Sequence, residues 1–138
     1  MKAYERRNRL LKSLGFKSYQ DYLNSDLWRK IRASRLSKHP ECYACPRKAT
    51  QVHHKRYTLA VMLGHEPQGL VAVCGGCHYR AEFTQDGDKR DLRQANKSLR
   101  KIQASHQFNA AKMLGAWMFM TLPETVDDQY RARLDREL

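Results

Sequence analysis

A chain of 138 residues suits one compact unit with appended helices, because single domains run to roughly 100–200 residues, and two large independent cores do not fit. Lysine and arginine number 26 against 14 acidic residues, a net charge of +12 that favours a polyanionic partner, nucleic acid first. No run approaches the ~20 apolar residues of a membrane span, and the charged N-terminus cannot supply a signal peptide's apolar segment, so the protein is expected to be intracellular, in the cytoplasm or on a nucleoid.

The charge is concentrated at the start: residues 1–38 carry +8, while 39–83 and 84–138 carry +2 each. The chain divides accordingly into a basic helical N-terminal extension (1–38), a central module (39–83) and a helical C-terminal extension (84–138). Tyr4 to Leu14 reads as a basic amphipathic helix ended by Gly15, a residue at ease in the left-handed conformation. Ser18 can cap a short second helix, and Ser25 a third, in which Leu27, Trp28, Ile31 and Leu36 recur at helical spacing among Arg29, Lys30, Arg32 and Arg35. His39-Pro40 ends it.

From Glu41 to Tyr57 a cysteine turn and a short polar-apolar alternation predict a β-hairpin. Gly64, Pro67 and Gly69 break up the next segment into loop; Leu70 to Val73 is a short apolar run, and His78 to Phe83 is expected to be helical. Beyond the polar boundary Thr84–Asp88, a charged helix is expected over about Lys89 to Ser105, then a second carrying Leu114, Trp117, Met118 and Met120, then a last one after Thr121. The Met/Trp stripe serves an intramolecular core or a dimer equally well, so the sequence leaves the oligomeric state open.

Cys42-Tyr43-Ala44-Cys45 and Cys74-Gly75-Gly76-Cys77 are two CxxC pairs separated by 28 residues. In a reducing compartment such pairs bind metal, and four thiolates fill the tetrahedral shell of zinc with no open position, so this ion is expected to be structural. A central segment of ~45 residues buries too little apolar surface to be stable alone, whereas zinc binding in such modules supplies about 10 to 16 kcal/mol.

A closed sulfur site has no need of His53, His54 and His78. Adjacent strand residues point to opposite faces, so His53 can join His78 on a divalent ion (Mg²⁺, Mn²⁺, Ni²⁺ or a second Zn²⁺) while His54, with an imidazole pKa near ~6.5, removes a proton from attacking water. Such an ion would stabilise charge on a phosphodiester and its leaving oxygen. Glu82, four residues beyond His78, either joins the metal or positions His78 if the segment is helical; a surface carboxylate paired with an arginine is the plainer alternative. Lys55 and Arg56, with Arg29, Lys30 and Arg32, are candidate contacts to a DNA backbone.

Together, Cys-x-x-Cys, Val52-His53-His54 and Leu70-Val-Ala-Val-Cys-x-x-Cys-His78, led in by Trp28-Arg29-Lys30-Ile31-Arg32, resemble the HNH endonuclease family over residues 25–83. The resemblance implies an α+β, mainly helical protein around a zinc-stapled ββα-metal core, with His54 as general base, His53 and His78 as ligands of the catalytic ion, and DNA as substrate, RNA being the alternative. One position departs from the family's pattern: Asn, sometimes Asp, usually stands five residues before the third cysteine, where this chain has Gly69. That departure and the N-terminal charge motivate a rival reading as a non-catalytic zinc module that binds nucleic acid. The Met/Trp helix motivates another, a zinc domain that docks onto protein.

Overall fold

The computed structural model describes residues 2–114. Its fold is α+β and mainly helical: α1 (Ala3–Ser13), α2 (Tyr19–Leu23), α3 (Asp26–Lys38), β1 (Gln51–His54), α4 (Leu59–Met62), β2 (Leu70–Val73), α5 (Gly75–Glu82) and α6 (Leu92–Leu114). The helix signals hold where the sequence placed them. Gly15 follows α1 with φ +91°, the Ser18 side chain accepts from Asp21 N–H, and the Ser25 side chain accepts from Trp28 N–H, each closing an orphan donor.

The strands pair differently from the expected hairpin. β1 runs antiparallel to β2, with Gln51 opposite Val73, Val52 opposite Ala72, His53 opposite Val71 and His54 opposite Leu70. Within Glu41–Tyr57 the only pairing is an isolated bridge between Glu41 and Lys48. The physical reason is burial: β2 is Leu-Val-Ala-Val, every residue buried, whereas Glu41–Lys48 offers no comparable apolar strand.

Because side chains alternate, this two-stranded sheet is a wall between two apolar clusters. Val71 and Val73 face one cluster, built with Cys42, Tyr43, Cys74, Cys77 and Ala81 and closed by Leu99 and Ile102 of α6. Val52 and Leu70 face the other, with Leu11, Tyr22, Trp28, Val61 and Met62. The buried Arg35 guanidinium crosses toward the wall and donates to the Leu70 carbonyl at 2.9 Å.

Three further elements differ from expectation. Residues 59–62, expected as loop, form α4, capped by the Thr58 hydroxyl at Val61 N–H. α5 begins three residues before His78, since the Cys74 side chain accepts from Cys77 N–H and caps it. α6 is one continuous helix across the break expected after Ser105. Trp117, Met118, Met120 and the helix expected after Thr121 lie outside the described residues. Among the described residues, no helix is long and apolar enough to cross a membrane.

Candidate metal centres

The four cysteine sulfurs all lie within 4.8 Å of one another, and Cys45 Sγ is 3.6 Å from Cys74 Sγ. Four bonds of ~2.3 Å to a tetrahedral zinc would set sulfurs about 3.8 Å apart, so these thiols are spaced to hold one zinc ion as a structural metal. Backbone supports the shell: Ala44 N–H donates to Cys42 Sγ and Cys77 N–H to Cys74 Sγ, both at 3.4 Å. Burial alone would raise the Cys74 thiol, but hydrogen bonds from Cys77 and from the neighbouring thiols outweigh it and bring it down to about 7. Burial and the Cys74 side chain together push the Cys77 thiol up. Zinc, by drawing protons from buried thiols, relieves that competition.

The second centre lies on the α5 side of the wall. Cys74 caps α5, which places His78 one turn into the helix and Glu82 a turn further on, both toward β1. His53, Glu82 and His78 each offer one ligand atom, all within 4.8 Å of one another. Glu82 Oε1 is 3.2 Å from His78 Nε2 and 3.7 Å from His53 Nδ1.

The far nitrogen of each ring is engaged by an amide. His53 Nε2 is 2.8 Å from Asn96 Oδ1, and Asn96 Nδ2 donates to the Lys55 carbonyl at 2.9 Å. His78 Nδ1 is 2.7 Å from Gln51 Oε1. When each ring holds a single proton and donates it from that outer nitrogen, the inner nitrogens carry lone pairs, and three acceptor atoms converge. Histidine ligands of metals are held in this way, the outer N–H donated and the inner nitrogen turned to the ion. The donor set therefore fits a divalent cation.

Burial acts to raise the Glu82 carboxyl, but when His53 and His78 carry protons on their inner nitrogens, their hydrogen bonds, with the charges of His78 and Lys89, hold it well below the carboxylate range; a cation would take the place of those protons. Lys89 Nζ lies 3.2 Å from Glu82 Oε2, and its ammonium is 5.3 Å from the Tyr4 ring centre. Arg7 of α1 lies 3.8 Å over the Tyr19 ring and within 5.2 Å of the Tyr57 ring centre. Lys89 thus stands beside Glu82, while Arg7, 5.1 Å from the Tyr4 ring centre, lies among the tyrosines on the His54 side.

His54, expected as the general base, is buried in the structure. Strand alternation sends it to the opposite face, where it is 3% exposed and stacked on Trp28 at 4.6 Å, with Tyr19, Tyr22 and Tyr57 around it. Its Nδ1 meets the Tyr19 hydroxyl at 3.2 Å, while Nε2 is buried without a hydrogen-bond partner. Burial first, then the charges of His53, Arg7 and His78, lowers its pKa to about 3, so the ring is neutral at pH 7.

The remaining sequence candidates are dispersed. Arg29, Lys30 and Arg32 are exposed on α3; Arg29 pairs with Asp26 at 2.9 Å, and Arg32 donates to the Thr50 carbonyl. Arg56 pairs with Glu66 at 3.6 Å, and Lys55 is tied through its backbone to Gly69 and Asn96. Sequence reasoning missed Asn96, Gln51 and Lys89, because an isolated amide or lysine in a polar stretch carries no spacing signal. Compared with protein-family models, curated proteins and solved structures, the chain gives no match in any of the three.

Proposed function

We propose that the protein is a metal-dependent endonuclease of the HNH type, acting on DNA. The observation that carries this reading is the convergence of His53 Nδ1, His78 Nε2 and Glu82 Oε1, each histidine held by an amide on its outer nitrogen. A divalent ion held there supplies Lewis acidity toward a phosphodiester. The chain's own residues do the rest: His53 and His78 supply neutral ligands, Glu82 adds one negative charge, and Lys89 beside it provides a cation for a phosphate oxygen. The net charge of +12 supports a polyanionic substrate.

The burial of His54 favours a second reading, a non-catalytic zinc module that binds nucleic acid and uses the second centre only as a staple. His54 serves as a base only if its unpartnered Nε2 is uncovered; its neutrality suits that role, its aromatic surroundings oppose it. Zinc-loaded protein incubated with supercoiled plasmid and Mg²⁺, Mn²⁺, Ni²⁺ or added Zn²⁺ decides between the readings. Nicking lost in His53→Ala and Glu82→Gln supports the nuclease; intact plasmid with every ion, retained in a salt-sensitive complex, supports the binding module. His54→Ala then assigns the proton: loss of nicking gives it to His54, and retention leaves water activation to the ion.

A further inference from the structure

We infer that Asn96 of α6 is the positioning residue of the second metal centre, fixing which nitrogen of His53 is presented to a divalent cation. The inference rests on the metal reading above and adds a residue that no motif marks. Its geometry is over-determined. The Lys55 carbonyl can only accept, so the Asn96 atom 2.9 Å from it is the amide nitrogen, and the other atom is Oδ1. Oδ1 can only accept, so the His53 nitrogen 2.8 Å away, Nε2, carries the proton. The lone pair of neutral His53 is then on Nδ1, the atom facing Glu82.

Removal of the amide changes the balance at a ring that is 2% exposed. The buried Nε2–H would lose its partner, and the best remaining acceptor is Glu82, reached through Nδ1–H. A His53 that donates to Glu82 occupies two of the three ligands with each other. Asn96 therefore acts against that internal pairing and keeps both groups available to a cation.

The location of Asn96 supports a role beyond packing. Asparagine is a poor residue for a helix interior, yet Asn96 lies within the 23-residue α6, beside Ala95 and one turn before Leu99 on the face that meets the core. Two turns on, Gln103 repeats the device, its amide donating to the carbonyl of Tyr43 inside the first CxxC turn at 3.2 Å. α6 thus reaches both centres through side-chain amides. The centre also has no such help from residue 69, where a Cβ would stand 2.4 Å from Val61 Cγ2 and only glycine fits.

The test measures binding of Mn²⁺, a poor thiolate ligand partner, to the zinc-loaded full chain by the loss of free-ion EPR signal. Asn96→Ala is expected to weaken Mn²⁺ binding by about 10- to 100-fold, the range seen for groups that orient metal-bound histidines. Asn96→Asp, which still accepts from Nε2–H, is expected to recover most of that loss. Zinc content and melting serve as controls for the fold. Equal Mn²⁺ affinity in wild type and Asn96→Ala overturns the inference, as does an Asn96→Asp that binds as weakly as the alanine variant. In the wild-type protein, ring-nitrogen NMR should find His53 in the Nε2–H tautomer; the Nδ1–H tautomer overturns the inference without recourse to any variant. Wild type that takes up no Mn²⁺ removes the metal reading itself, and the tautomer still decides what Asn96 does to His53.

Discussion

Gly69 gives the sharpest stability test in the molecule. It is buried in the turn before β2, its carbonyl accepting from Lys55 N–H at 2.8 Å and so joining that turn to the end of β1. A Cβ built on it would lie 2.4 Å from Val61 Cγ2 and 3.2 Å from Cγ1, so Gly69→Ala demands that the two elements part by about 1 Å. Val61 is fully buried and its β-branched side chain is stiff, and overpacking of that kind costs about 1 to 3 kcal/mol. Asparagine, with the same Cβ, meets the same close approach. Urea denaturation of zinc-loaded protein, followed by circular dichroism, measures the cost. Val61→Ala removes both clashing carbons, so the double variant should be more stable than the two single losses predict, by about 1 to 3 kcal/mol of coupling. A Gly69→Ala protein as stable as wild type, or single losses that simply add, would show that the close approach is not what excludes a side chain here.

Chelation of the sulfur-bound ion at neutral pH should abolish cooperative melting of the region containing β1, β2 and α5, with zinc restoring it; an unchanged melt after verified zinc removal would refute a structural role for the four thiols. Acidification should expose the buried neutral imidazole of His54. Unfolded, it titrates near ~6.5, and folded at about 3, so between those values the unfolded chain binds the extra proton and stability falls as pH drops. From pH 7 to 5 that group accounts for about 2 kcal/mol, a loss that His54→Phe should remove from the acid limb; an identical pH slope in the variant would contradict the buried-neutral assignment.

Much of the local structure was legible because its causes are local. Ser18 and Ser25 cap helices through hydroxyls within three residues, and Gly15 ends one through its own φ angle, so spacing alone located them. The thiol cluster was legible for a similar reason, two tight turns with paired sulfurs, and His53 and His78 meet as their flanking motifs suggested. What failed to show depends on distant partners. The strand that completes β1 lies beyond α4 and a turn, so a neighbouring hairpin was the natural guess. Alternation indicated that His54 would face away from His53, but the rings of Tyr19, Tyr22 and Trp28 that fill its side arrive from α2 and α3, and no periodicity records their arrival. Asn96 is legible only once α6 is seen to cross behind β1.

The position of the sulfur cluster at one end of the strand pair has a consequence for how this protein reaches its native state. Both strands have four residues, and a slip by a single residue would exchange the faces of His53 and His54. Cys74 directly follows Val73 of β2, and Cys45 precedes β1 by a short span, so sulfur atoms from both strands' approaches meet at one point only in the native alignment. A chain that pairs out of step would carry Cys74 along the sheet by one residue relative to β1 and away from the native sulfur spacing. A zinc ion held by the four sulfurs would therefore favour the alignment that turns His53 rather than His54 toward Glu82.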